Sequence, residues 1–405
     1  MRVVLATESS FMDFKKKSKS PAFSGVAVFV SQFSKYLAKN GHQVLIIAPA
    51  SDESPELTLE KIGSNVSVAF LPSMPNPFRP GLRMASFSGL YEIRDLLRKF
   101  KPDIVHLQDP AEVGVSTLRA AKKNRVPVVI TNHSYSGFIL AYLRFLWPFD
   151  KLAEKMVLNH LVKTYNDCRA VITPTKSLSL SLRRLGVEVP IYVVSNGVMM
   201  RRFRSGKADP EIFRKYRLPK NKKIILYVGR LEKDKSLETI IEAVPEVVAE
   251  EKPAHFVFVG EGSLKGEYKA LAKKIKADKH ITWAGYVSHE SRDLPQIYRL
   301  ADIFVMPSLE GQSIATIEAM ASGLPVVAAD AGGLKELVKN KQNGVRFKIG
   351  NSRALSQALL FLLKDGKIAE QYGNKGRLMA ASYDLPNVQK QLVGVYEKII
   401  AGRKK

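Results

Sequence analysis

The sequence has one cysteine, Cys168, in 405 residues. No intrachain disulfide can form, a cysteine-rich zinc site is excluded, and a reducing compartment is expected. No apolar run reaches the roughly 18 residues that a membrane-spanning helix needs. The opening Met1-Arg2-Val3-Val4-Leu5-Ala6 is too short an apolar run for a signal peptide and reads as a buried strand. Acidic residues are scarce: 38 Asp and Glu face 63 Lys and Arg, which leaves a formal net charge of +25. The excess is spread along the chain and not held in a tail. It suits anionic partners, meaning nucleic acid, an anionic membrane surface or phosphorylated ligands, or a merely solvated basic surface. Nucleic acid fits worst, because there is no basic stripe interleaved with aromatics and no helix-turn-helix or zinc signature.

What is present is a repeating alternation of short Val/Ile/Leu runs with helical stretches. Residues 2–6 read as a strand, 26–39 as a helix with Val26, Val30, Phe33 and Leu37 on one face, and 44–48 as the next strand. Strands at 66–70, 103–107, 127–131, 170–173 and 191–194 follow, with helices at 87–100, 112–124 and 176–185. Ser195-Asn196-Gly197 is a turn signal, and a domain boundary is placed near 200. A second series runs from Lys223 to Phe347, and the C-terminus is helical at 352–364, 366–381 and 386–401. Continuous apolar strands between helices indicate parallel sheets covered on both faces. The expected organisation is an N-terminal domain over 1–200, a C-terminal domain over 201–385, and a last helix, 386–405, crossing back to the first domain. In doubly wound sheets ligands bind beyond the carboxyl ends of the strands, so a cleft between the domains is the expected site.

Several places carry chemistry, some of them at such strand ends. Gly229 permits a tight turn after strand 223–228, and Arg230 and Lys235 then offer two cations able to clamp a diphosphate, or else a solvated pair. Glu310 and Glu318 lie eight residues apart across a loop-to-helix junction. Glu318 sits in an apolar helix, where an ionised carboxylate needs donors from protein or ligand. The helix start after Gln312-Ser313 is a second anion site, with Ser313 also able to cap it. Ser24-Gly25 precedes a helix and lets backbone approach a phosphate or sugar. His133 follows strand 127–131, whereas His106 lies inside a strand and reads as a structural hydrogen-bonder. Asp109 either faces the cleft or caps helix 112–124. Residues 138–149, with Tyr142, Arg144 and Trp147, form the most aromatic stretch and suit either a membrane interface or packing on the domain itself. Lys15 to Lys19, Arg79, Arg83, Lys122, Lys123 and Arg125 are available to anionic headgroups nearby.

Together these segments resemble the retaining glycosyltransferases of family 4, which have the GT-B fold. The resemblance rests on S-G-V-A-V-F-V-S-Q-F-S-K-Y-L-A-K-N-G-H, V-I-T-P-T-K-S-L with S-N-G-V, Y-V-G-R-L-E-K-D-K-S-L, and P-S-L-E-G-Q-S-I-A-T-I-E-A-M-A-S-G-L-P-V-V-A. It covers nearly the whole chain. It implies an α/β GT-B fold, two doubly wound Rossmann-like parallel-sheet domains facing a cleft. It implies a nucleotide-sugar co-substrate, with UDP-glucose expected, and no cofactor or metal; no Asp-rich metal motif is evident. Arg230 and Lys235 would bind the donor diphosphate, beside Gly229. Glu318 would accept from ribose hydroxyls, and Glu310 would contact the sugar. Gly311, Gln312 and Ser313 would hold sugar hydroxyls and phosphate, and Tyr286 the base. His133 would sit at the sugar and Gly25 near the diphosphate. The chain departs from the common pattern at Gln312-Ser313, where many members read F-G, at Ser24, where many have a second glycine, and at Met199, where many have an acid. The T-x-H-S-Y pattern and aromatic helix are most similar to members that glycosylate membrane diacylglycerol lipids. The expected reaction is therefore transfer of a hexose to a lipid acceptor by a peripheral enzyme at a cytoplasmic membrane face with anionic lipids. A soluble sugar or polysaccharide acceptor, and a non-catalytic or nucleic-acid-binding basic protein, are the competing readings.

Overall fold

The computed structural model describes residues 1–8, 25–51, 53, 56–76, 83–133 and 150–402. The chain divides into two compact units, Met1–Ser195 with Val388–Lys405, and Asn196–Asn387.

The first unit runs β1 (Arg2–Ala6), α1 (Gly25–Lys39), β2 (Gln43–Pro49), β3 (Thr58–Lys61), β4 (Val66–Leu71), β5 (Ser73–Pro75), β6 (Arg83–Ala85), α2 (Phe87–Phe100), β7 (Ile104–Leu107), α3 (Glu112–Lys123), β8 (Val128–Thr131), α4 (Asp150–Asn166), β9 (Ala170–Thr173), α5 (Lys176–Arg184) and β10 (Ile191–Val193). Its main sheet has the order β10-β9-β8-β7-β1-β2-β4-β3. β3 alone in it is antiparallel. Side chains of a strand alternate between faces, and β1 shows why both faces are covered. Val3 and Leu5 enter one core with Phe29, Val30, Phe33 and Leu37 of α1. Val4 and Ala6 enter another with Ile93 and Leu97 of α2 and Val113 and Leu118 of α3.

The second unit runs α6 (Glu211–Lys215), β11 (Lys223–Val228), α7 (Leu237–Glu250), β12 (Ala254–Val259), α8 (Lys265–Lys274), β13 (Ile281–Gly285), α9 (Asp293–Leu300), β14 (Ile303–Met306), α10 (Ile314–Ala321), β15 (Val326–Ala329), α11 (Leu334–Leu337), β16 (Gly344–Phe347), α12 (Ser352–Lys364) and α13 (Gly366–Ala380). Its sheet, β13-β12-β11-β14-β15-β16, is parallel throughout. The last helix, α14 (Leu385–Ala401), begins in this unit. From Val388 on it belongs to the first unit, where Val388, Leu392, Val395 and Tyr396 are buried in the core on the α1 face.

The division between units falls at Ser195/Asn196, ahead of the boundary at 200 read from the sequence. The reason is packing. Val198 exchanges backbone hydrogen bonds with Tyr383 and Leu385, at 2.9 Å each. Val198 and Phe203 are buried in the core of the second unit. Five elements are not announced by the sequence: β3, β5 and β6 of a hairpin, α4 and α6. β3 is largely exposed, so it carries no apolar run. Lys15 to Lys19, Ser24, Arg79 and residues 138–149 lie outside the described residues.

In each sheet the chain winds outward from one strand in both directions. β1 lies between β2 and β7, and β11 lies between β12 and β14. The carboxyl ends of these strands are where a doubly wound sheet opens to receive a ligand.

Candidate active site

In the second unit the opening lies between the ends of β11 and β14. Gly229 follows β11 because a side chain would not fit: a Cβ there would lie 2.4 Å from the Tyr227 hydroxyl. That hydroxyl donates to the Arg230 carbonyl at 2.9 Å. Burial, with Glu310 adding, pushes the Tyr227 phenol well above its usual range, so it stays a donor. Gly260, at φ +145°, ends β12 against the same turn; a Cβ on it would lie 1.9 Å from the Gly229 carbonyl oxygen. The sequence reading passed over Gly260, although a glycine directly after a strand was its available signal.

Lys235 reaches across this opening. Its Nζ lies 2.7 Å from Glu310 Oε1, and both side chains are only 14% exposed. Ser308 Oγ donates to the same oxygen at 2.6 Å. Asp234 Oδ2 stands 3.5 Å from Lys235 Nζ and accepts from Arg230 Nη2 at 2.9 Å. Each of the two cations that the sequence offers as a diphosphate clamp or a solvated pair thus has a carboxylate neighbour, Asp234 or Glu310. Asp234 was missed because it reads as one residue of a solvated K-D-K run. A half-exposed Arg230, beside a shielded Lys235 fixed by two carboxylates, forms a preset group of donors at a strand end.

Glu318 on α10 is 2% exposed. His289 Nε2 lies 2.7 Å from its Oε1, and the Tyr298 hydroxyl donates to its Oε2 at 2.8 Å. The donors that the buried carboxylate demands are therefore supplied inside the protein, from the loop after β13 and from α9. Burial, then Glu318, raises the Tyr298 phenol well above its usual range. Neither partner was found from sequence, since each lies about 20 to 30 residues away. Ser313 caps α10, its Oγ accepting from the Thr316 N–H at 3.1 Å. Gln312 is nearly buried, and its Oε1 accepts the Asn196 N–H at 2.8 Å. Gly311 is buried beside them. Tyr286, just after β13, is 42% exposed.

In the first unit the opening lies between the ends of β1 and β7. Asp109 is half-buried there, and its Oδ1 accepts the N–H of Ala111, the N-cap residue of α3, at 3.3 Å. Its Oδ2 accepts from Thr7 Oγ1 at 3.1 Å and from the Glu8 N–H at 2.9 Å. Glu8 accepts from the N–H groups of Ala85 and Val113, at 3.0 and 2.9 Å. Burial pushes the Glu8 carboxyl up to about 7. His133 Nε2 lies 3.2 Å from Gln108 Oε1, and its ring meets Phe29 of α1 edge-on at 5.6 Å. His106 is the structural histidine expected: it bonds Tyr396 and, at 2.6 Å, Thr131, and burial pushes it down to about 3. Gly25 is exposed at the start of α1, and among the described residues nothing lies within 4 Å of where its Cβ would be.

These two Rossmann-like units are those of the GT-B fold. Residues 23–202 match the family described as Glycosyltransferase Family 4, and residues 208–379 match Glycosyl transferases group 1. The chain belongs to glycosyltransferase family 4, and its activity is glycosyl transfer from a nucleotide-sugar donor. It is 27% identical over 336 residues to the alpha-monoglucosyldiacylglycerol synthase of Acholeplasma laidlawii, covering 81% of this chain and 82% of that one. It is 28% identical over 386 residues to a GDP-mannose-dependent alpha-mannosyltransferase of Mycobacterium tuberculosis, covering 94% of each. Sucrose-phosphate synthase of Thermosynechococcus elongatus shares the fold, with a TM-score of 0.79 at 19% identity over 99% of this chain and 100% of that one.

Proposed function

We propose that this chain is a retaining hexosyltransferase that moves glucose from UDP-glucose to a membrane lipid such as diacylglycerol, without a metal ion, as a peripheral protein on the cytoplasmic face of a membrane. The observation that carries the donor half is the Lys235–Glu310 pair, held at 2.7 Å where β11 and β14 diverge, with Arg230 beside it. Cations fixed at a strand end suit a diphosphate, whose leaving charge they stabilise as the glycosidic bond to phosphate breaks. In this reading Arg230 and Lys235 take the diphosphate, with Gly229 giving it room. Glu310 and the backbone of Gly311 to Ser313 meet the sugar and phosphate. Tyr286 takes the base, Glu318 the ribose, His133 the sugar and Gly25 the diphosphate. Retention follows front-face attack: the acceptor hydroxyl attacks the anomeric carbon on the side of the departing UDP, whose phosphate oxygen takes the proton. No second carboxylate serves as a nucleophile.

The acceptor half is supported by the likeness to a monoglucosyldiacylglycerol synthase and by an exposed aromatic face on α2. Phe87 is 77% and Tyr91 83% exposed. Arg94 and Arg98 continue the same helical face and are exposed. Aromatic and Arg side chains together suit a bilayer interface. The likeness to a GDP-mannose-dependent enzyme favours a second reading in which the donor is GDP-mannose. Incubation with UDP-glucose or GDP-mannose and diacylglycerol liposomes should give an α-linked glucolipid from the first donor, undiminished by EDTA. Arg230→Ala should lower kcat/KM by about ten-fold or more, as expected for a charged hydrogen bond of about 1.5–3 kcal/mol. Product from GDP-mannose alone would replace the donor assignment, and an unchanged Arg230→Ala rate would remove the diphosphate role.

A further inference from the structure

Glu318 is almost wholly buried, yet its carboxylate is fixed by one donor on each oxygen. His289 Nε2 lies 2.7 Å from Oε1, and the Tyr298 hydroxyl lies 2.8 Å from Oε2. A carboxylate only accepts, so Nε2 carries the hydrogen. The other ring nitrogen of His289, Nδ1, is buried and has no hydrogen-bond partner among the described residues. Glu318 is therefore the polar group that sets the orientation of this imidazole. Phe203 lies 6.1 Å from the His289 ring and meets Tyr298 edge-on at 5.5 Å. The loop that carries His289 is tied by Arg202, which donates to the Ser291 carbonyl at 2.9 Å. Three aromatic rings and a tied loop thus hold one carboxylate in one rotamer, and His289 is 25% exposed where Glu318 is 2%.

We propose that His289 and Tyr298 are positioning residues for donor recognition: they clamp Glu318 so that its remaining lone pairs meet the hydroxyls of the donor ribose. A carboxylate free to turn would lose part of its binding to the entropy of being ordered, and the clamp has already removed that freedom. The inference rests on the nucleotide-sugar reading and on the ribose role of Glu318.

The test compares binding of UDP and GDP, and of their 2′,3′-dideoxy analogues, to the wild type and to His289→Ala, His289→Gln, Tyr298→Phe and Glu318→Gln. Thermal melting is recorded for each variant. Wild type should prefer the ribonucleotide it binds over its dideoxy form by about ten-fold or more. His289→Ala and Tyr298→Phe should erase most of that preference, as Glu318→Gln does. His289→Gln places an amide N–H where Nε2–H stood and should restore it. Loss of melting temperature with the preference intact in both His289→Ala and Tyr298→Phe would overturn the inference and leave the donor reading standing. Wild type that binds neither UDP nor GDP would remove both.

Discussion

Glu8 and Asp109 show at the scale of single residues how burial sets chemistry. Glu8 titrates near 7 in place of about 4.5, chiefly because desolvation penalises its charge. Between those values the folded state keeps a proton that the unfolded state has released. Stability from this group therefore falls as pH rises from about 4.5 to about 7, by about 3 kcal/mol at 1.36 kcal/mol per unit. His106, pushed down to about 3, acts with the opposite sign over roughly pH 3 to 6.5. The Glu8 contribution is then read as a difference: the gap in melting temperature between Glu8→Gln and wild type should widen in favour of the variant from pH 5 to pH 7. A gap that stays constant with pH would show that Glu8 does not titrate in this window. Nothing in the sequence distinguishes Glu8 from an exposed glutamate after a first strand; only the N–H groups of Ala85 and Val113 closing on it do.

At the scale of elements, amphipathic and fully apolar segments are legible in the sequence. α2 (Phe87–Phe100), β9 (Ala170–Thr173), β11 (Lys223–Val228) and α12 (Ser352–Lys364) match their expected bounds. Each has a clear period or a Val/Ile/Leu run to announce it. β3 and the β5–β6 hairpin have neither, because an edge strand exposed to water needs no apolar side. The same logic marks α2 as unusual, since Phe87 and Tyr91 are large aromatics on its water-facing side. Burying one such ring in a bilayer contributes about 1.5–3 kcal/mol. Phe87→Ala with Tyr91→Ala should lower partition onto liposomes by more than ten-fold in flotation while leaving the melting temperature within a degree or so of wild type. Unchanged flotation would take α2 out of the membrane reading.

At the scale of the whole molecule, the net charge of +25 predicts binding to anionic vesicles that salt weakens. Raising ionic strength from about 0.1 M to about 1 M shortens the Debye length from about 10 Å to about 3 Å. Vesicles rich in phosphatidylglycerol should release most of the protein over that range, whereas neutral vesicles should show little change. Retention independent of salt would make the attachment apolar and not electrostatic.

The sequence by itself determined the class of fold, the two windings, the strand ends near which Gly229, Arg230, Lys235 and Glu310 stand, and the helix that carries Glu318. It could do so because hydrophobic period and turn chemistry are local. Tertiary structure alone decided which groups meet: Lys235 with Glu310 from 75 residues away, Glu318 with His289 and Tyr298, and Gln312 with the Asn196 N–H. A hydrogen bond depends on distance in space, and in a parallel sheet neighbours in space come from separate crossovers of the chain. The spacing of Glu310 and Glu318 was therefore legible, and the different surroundings that separate their roles were not.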